Sequence, residues 1–124
     1  MNSETSTPLV SVVVPCYNVE KFVRQCIESL KCQTLQDMEF IVVNDGSTDK
    51  TLEIIRSVTA GDSRFVVLNK KNSGYGDSVN RGLKLASGIY VGIIESDDWV
   101  EPEMFETLYE NAEKYDLDIS RTSF

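Results

Sequence analysis

Unbroken apolar stretches alternate along this chain with stretches whose apolar positions recur every three or four residues. Leu9-Val10-Ser11-Val12-Val13-Val14 is β-branched and nearly continuous, the pattern of a strand covered on both faces. Pro15 is expected to end it. From Val19 to Gln33 the apolar Val19, Phe22, Val23, Cys26, Ile27 and Leu30 fall at helical spacing. Met38 to Val43 reads as a second strand, and Asn44-Asp45-Gly46-Ser47 as turn chemistry. Ser47 or Thr48 is placed to cap a helix that carries Leu52, Ile55 and Val58 and ends near Gly61. Phe65 to Leu68 predicts a third strand and Asn72-Ser73-Gly74-Tyr75-Gly76 a loop. A third helix then carries Val79, Leu83, Leu85 and Ala86 and is stopped by Gly88. Ile89 to Ile94 predicts the fourth strand. Pro102 suits the first turn of a helix presenting Phe105, Leu108, Tyr109 and Ala112, and Leu117-Asp118-Ile119-Ser120 starts a fifth strand.

Strands separated by helices of this length imply βαβ units, hence an α/β fold with a mostly parallel sheet flanked by helices. Such sheets bind ligands beyond the carboxyl ends of their strands. The polar loops Pro15 to Asn18, Asn44 to Thr48, Asn69 to Gly76 and Glu95 to Trp99 all fall at those ends. The topology therefore gathers Asp45 and Asp97 onto one rim. The length of 124 residues suits one domain, residues 8–124, behind a loose polar tail of residues 1–7.

Charge and composition narrow the chemistry. The net charge is −8 with no basic run, which argues against nucleic-acid binding. An anionic small molecule remains compatible if a cation screens it. The chain has no histidine, so Ser-His triads and histidine metal sites are excluded, and acid–base work falls to carboxylates, lysine or tyrosine. Cys16, Cys26 and Cys32 form no Cys-x-x-Cys pair and read as reduced thiols. No apolar run has the length of a membrane span and the N-terminus lacks a signal-peptide core, so the expected compartment is cytoplasmic.

The acidic run Glu95-Ser96-Asp97-Asp98 follows an apolar strand directly. Crowded carboxylates repel one another and resist burial, and a hard divalent cation such as magnesium or manganese removes the conflict. The other reading is a solvated acidic turn that caps the next helix. Asp45 offers an acceptor after the second strand, either for the imide N–H of a base or for an Asx-turn to Ser47 or Thr48. Lys70 and Lys71 read as solvated surface lysines. Gly74-Tyr75-Gly76-Asp77-Ser78-Val79 lacks the third glycine of a dinucleotide fingerprint and follows the wrong strand. A phosphate loop fails for want of Gly-Lys-Ser/Thr, and a receiver domain for want of acidic residues after the first strand.

Four sets of motifs carry a resemblance. They are Val12-Val13-Val14-Pro15-Cys16-Tyr17-Asn18; Ile41-Val42-Val43-Asn44-Asp45-Gly46-Ser47-Thr48-Asp49; Asn72-Ser73-Gly74 with Asn80-Arg81-Gly82 and Ala86-Ser87-Gly88; and Glu95-Ser96-Asp97-Asp98. In this order, from Leu9 to about Pro102, they resemble the nucleotide-sugar-binding portion of inverting family 2 glycosyltransferases of the GT-A fold. The resemblance implies a Rossmann-like sandwich, cut here after about the fifth strand. It implies nucleotide contacts from Pro15, Tyr17, Asn18, Asp45, Asn72, Gly74, Asn80 and Asp97, with Asp45 on the base. It implies a Mn2+ or Mg2+ ion held by Asp98 first, then Asp97 and Glu95. The implied donor is a UDP-sugar. The implied acceptor is a saccharide or lipid-linked hydroxyl, in cell-wall or polysaccharide biosynthesis at the inner face of the membrane. Glu95 stands where the family usually has aspartate, and Val79 where an arginine often precedes the asparagine. The family's catalytic base lies beyond the metal motif, so these residues are expected to bind donor and to transfer sugar poorly or not at all. The rival reading is a non-catalytic nucleotide-sugar or metal-binding module. An exposed sheet edge would also offer a route to a homodimer.

Overall fold

The computed structural model describes residues 7–115. The expected tail, except Thr7, and the expected fifth strand lie outside the described residues. Within them the order is β1 (Val10–Cys16), α1 (Val23–Lys31), β2 (Met38–Asp45), α2 (Thr51–Thr59), β3 (Phe65–Lys70), α3 (Tyr75–Leu85), β4 (Tyr90–Ile93) and α4 (Met104–Tyr115). The strands form one parallel sheet in the order β3-β2-β1-β4.

The continuous apolar runs in β1 and β2 are explained by burial on both faces. Val10, Val12, Val14 and Cys16 of β1 join Phe40 and Val42 of β2 in a core with Val23, Cys26, Ile27 and Leu30 of α1, Ile55 of α2 and Phe105 of α4. Val13, Ile41 and Val43 point the other way and pack with Leu68, Ala86, Val91 and Ile93. Gln33 ties α1 to α4: its buried side chain donates to the Glu101 carbonyl at 2.7 Å and accepts from the Phe105 amide at 3.1 Å.

Three local expectations need correction. Pro15 does not end β1, which runs on to Cys16 in register with β2. The Ile94 amide donates to the Val13 carbonyl. Alternate residues of β1, Pro15 among them, therefore turn their peptide groups toward β4, which stops at Ile93. The proline forfeits no ladder bond there. Neither Ser47 nor Thr48 caps α2; the Asp49 carboxylate accepts the Thr51 amide at 2.9 Å instead. Finally, α3 does not bury Leu83 and Leu85, which are exposed, but Ser78 and Gly82. A Cβ on Gly82 would lie 2.4 Å from Val13 Cγ1, so a residue without a side chain lets α3 lie close on the sheet.

Candidate functional site

The chain moves outward from β1 through β2 to β3, then crosses back by α3 to place β4 on the other side of β1. At that reversal the loops after β1 and β4 diverge, and a crevice opens at the carboxyl ends of the strands. It is a cavity of about 320 Å³. Pro15, Cys16 and Tyr17 contribute from the end of β1 and Asp45 from the end of β2. Asn72, Gly74, Tyr75 and Ser78 contribute from the β3–α3 connection, and Glu95, Ser96 and Asp97 from the loop after β4. Of the residues expected to bind nucleotide, Pro15, Tyr17, Asp45, Asn72, Gly74 and Asp97 are thus brought together. Asn80 is not: it lies exposed on the outer side of α3, in a groove with Leu68, Leu83 and Leu85.

Asp45 makes no Asx-turn to Ser47 or Thr48. Its buried carboxylate holds the β3–α3 connection, accepting the Ser73 amide at 2.8 Å, the Gly74 amide at 3.0 Å and Asn72 Nδ2 at 3.4 Å, and it pairs with the Lys70 ammonium. Burial pushes its pKa up, but Lys70 and the two amides outweigh that and hold it below the usual carboxylate value of 3.8. Lys70 is not a solvated surface lysine. Its side chain is 6% exposed and also pairs with Asp77 at 3.4 Å. Gly46 has φ +65°, and a Cβ there would fall 2.4 Å from the Asn72 amide nitrogen, so the two loops touch backbone to backbone.

Asn18 is an organiser beside the cavity. It sits at φ 50°, where asparagine is tolerated better than most residues. Its amide donates to Ser47 Oγ at 3.0 Å and its side-chain oxygen accepts the Thr48 amide at 2.8 Å. Next to it the Val19 amide donates to Thr51 Oγ1 and the Glu20 amide to Asp49, while the Lys50 amide donates back to Glu20. The loops after β1 and β2 are therefore stitched together from both sides.

The acidic loop divides into one tied and two free carboxylates. Glu95 accepts the Tyr75 hydroxyl at 2.6 Å. That bond, aided by burial, pushes the Tyr75 phenol up to about 12. Asp97 and Asp98 are exposed, and their side chains make no hydrogen bond or ion pair among the described residues. The Asp98 amide closes a turn on the Glu95 carbonyl at 3.0 Å. Burial pushes the Cys26 thiol up to about 12, and the negative fields of Asp98 and Asp97 add to it. Among the described residues no three Cys, Asp or Glu side chains converge as a closed metal cage. Asp98 does not line the cavity itself and Trp99 is exposed.

The sequence pattern did not single out Tyr75, Ser78, Cys16 or Ser96 as site residues, nor Lys70 as the partner of Asp45. For Lys70 a signal existed, because aligning the second and third strands sets it opposite Asp45. Cys16 is buried and its thiol is pushed up to about 12, mainly by burial, so it is an inert part of the wall.

Residues 11–123 match the family described as Glycosyl transferase family 2. The chain is 45% identical over 117 residues to "Uncharacterized glycosyltransferase EpsJ" of Bacillus subtilis (strain 168), an alignment covering 94% of this chain and 34% of that protein. It is 38% identical over 107 residues to chondroitin synthase of Escherichia coli, covering 86% of this chain and 16% of that one. In structure it is similar to S. aureus TarS 1-349 in complex with UDP-GlcNAc, with TM-score 0.82 and 32% identity, covering 87% of this chain and 32% of that one. It is also similar to the mannosyltransferase PcManGT from Pyrobaculum calidifontis in complex with GDP-Man and Mn2+, with TM-score 0.76 and 26% identity, covering 92% and 34%. The chain spans about a third of the first of these relatives and less of the second. The expected GT-A fold is borne out.

Proposed function

The chain belongs to glycosyl transferase family 2, and on that premise we propose that it forms the donor-binding part of a glycosyltransferase, taking a UDP-sugar into the crevice between the ends of β1, β2 and β4. The observation that carries this reading is the arrival of Asp45 and Asp97, far apart in sequence, on opposite walls of one cavity. Asp45 is the acceptor for the imide N–H of the base. Its longest contact, the 3.4 Å one from Asn72, is the one such a donor displaces. Pro15 and Tyr17 flank the base or ribose, and Asn72, Gly74 and Asn18 shape the wall.

Among the described residues, those lining the cavity include no lysine or arginine, so the lining itself offers no cation to a diphosphate. Asp97 and Asp98, free and adjacent, fit a divalent ion, which takes one or two carboxylates and completes its shell with phosphate and water oxygens. Glu95, held by Tyr75, is the weakest of the expected ligands. Bound there, Mn2+ or Mg2+ supplies positive charge against the diphosphate as it leaves. The whole protein's reaction is transfer of the sugar to an acceptor hydroxyl with inversion, which needs a general base. Asp45 and Glu95 are engaged and Asp97 and Asp98 face the cation, so the base is assigned to none of them.

Calorimetry with UDP tests the reading. Mn2+ should tighten binding by about tenfold or more, the scale of a charge-assisted contact, and Asp98→Ala should abolish that gain. UDP binding that is equally weak with and without the ion would overturn the metal–diphosphate assignment.

A further inference from the structure

Ser78 is fully buried, lines the cavity, and its hydroxyl has no hydrogen-bond partner among the described residues. A buried hydroxyl in a helix ordinarily bonds back to a carbonyl of the preceding turn. The buried Thr59 does so, donating to the Ile55 carbonyl at 2.8 Å, and so does the half-buried Ser29, to the Cys26 carbonyl at 2.7 Å. Ser78 does not; the Gly74 carbonyl receives only its amide, at 3.1 Å. Alanine would avoid the cost of desolvating an unpaired hydroxyl. The other buried unpartnered side-chain atoms, Asn44 Oδ1 and Arg64 Nη1, belong to residues that do not line the cavity.

The position of Ser78 relates it to Asp45. Asp45 anchors the Gly74 amide, and Ser78 follows one helical turn later on the same wall. Asp45 and Ser78 thus bring a carboxylate acceptor and an unpartnered hydroxyl donor to the lining of one cavity, linked through Gly74. Uracil presents the complementary pair, an N–H next to a carbonyl, and guanine presents the same pair. At the same edge cytosine, with N3 and its C4 amine, and adenine, with N1 and its C6 amine, present the reverse; cytosine shares the C2 carbonyl with uracil, so the discriminating carbonyl is the one at C4. We infer that the Ser78 hydroxyl is a specificity-determining donor to the base carbonyl adjoining the N–H that Asp45 holds. This rests on the reading of the crevice as a nucleotide site.

The test titrates UDP, CDP and uridine into the wild-type chain, Ser78→Ala and Ser78→Cys, and records the thermal midpoint of each without nucleotide. Ser78→Ala should weaken UDP roughly three- to tenfold, the scale of one neutral hydrogen bond. Uridine should weaken by the same factor and the preference for UDP over CDP should narrow. The nucleotide-free midpoint should be unchanged or higher, because a buried unpaired group is removed. Ser78→Cys, a similar shape with a weak donor, should fall between. UDP affinity indifferent to Ser78→Ala would overturn this inference alone, as would a loss seen with UDP but not uridine. A midpoint that falls with affinity would make the hydroxyl structural and overturn it too. Failure of the wild type to bind UDP would overturn the nucleotide site itself and this inference with it.

Discussion

The ionic centre of the site is Lys70, held between Asp45 and Asp77 with its side chain 6% exposed. Removing one partner of a buried pair leaves the other charge without compensation, a loss of about 3 kcal/mol. Lys70→Met should therefore lower stability by about that much at neutral pH, measured by urea unfolding. Because Asp45 is held below 3.8 in the fold, its ionised form adds stability that is fully present above 3.8 and is lost as pH falls through its depressed value. The gap between wild type and Lys70→Met should accordingly close in acid below 3.8. A gap independent of pH would mean that Lys70 acts through packing of its stem. Asp45 was legible in the sequence as an acceptor at the rim, but its occupation was not. The residues that bind it, from Lys70 to Gly74, end and follow a separate strand, and only strand register brings them across.

The elements were legible in order and type because β1 and β2 are buried on both faces and read as unbroken apolar runs. The face of α3 was not. Hydrophobicity points to Leu83 and Leu85, whereas the helix buries Ser78 and Gly82, small residues that leave no apolar signal, with Gly82 against Val13 of the sheet. Asn80 was expected at the site on motif alone, and it shares the outer groove with those leucines. Loop glycines divide in the same way. Gly46 and Gly61 both have positive φ, +65° and +82°, but a side chain at Gly61 would meet nothing within 4 Å. Gly61→Ala should cost about 1 kcal/mol for the backbone conformation alone. Gly46→Ala should cost about 1–3 kcal/mol more, because the Asn72 backbone must move. Thermal unfolding of the two variants checks the order, and equal losses would show that the close approach of the loops is easily relaxed.

At the scale of the whole molecule, the four described strands were readable but their order was not. The sequence does not say that β4 returns to pair with β1 rather than β3, and that return is what opens the crevice. The same order leaves β3 at an edge, with Val66 exposed. An exposed apolar edge strand is a template for pairing with another copy. Light scattering should show a mass that rises above the monomer with concentration, and Val66→Lys should suppress the rise; a constant monomer mass would rule that edge out. No helix among the described residues is long and apolar enough to cross a membrane. The stitching of the loops after β1 and β2 has a consequence for how a ligand is received. Asn18, Val19 and Glu20 are fastened to Ser47, Thr51 and Asp49 by folding itself. On the donor-binding reading, that wall meets its ligand with its conformational entropy already surrendered, so the encounter bears little ordering cost on that side. On the same reading, adaptation to different ligands then falls to the opposite lip, where the side chains of Asp97 and Asp98 make no hydrogen bond or ion pair among the described residues.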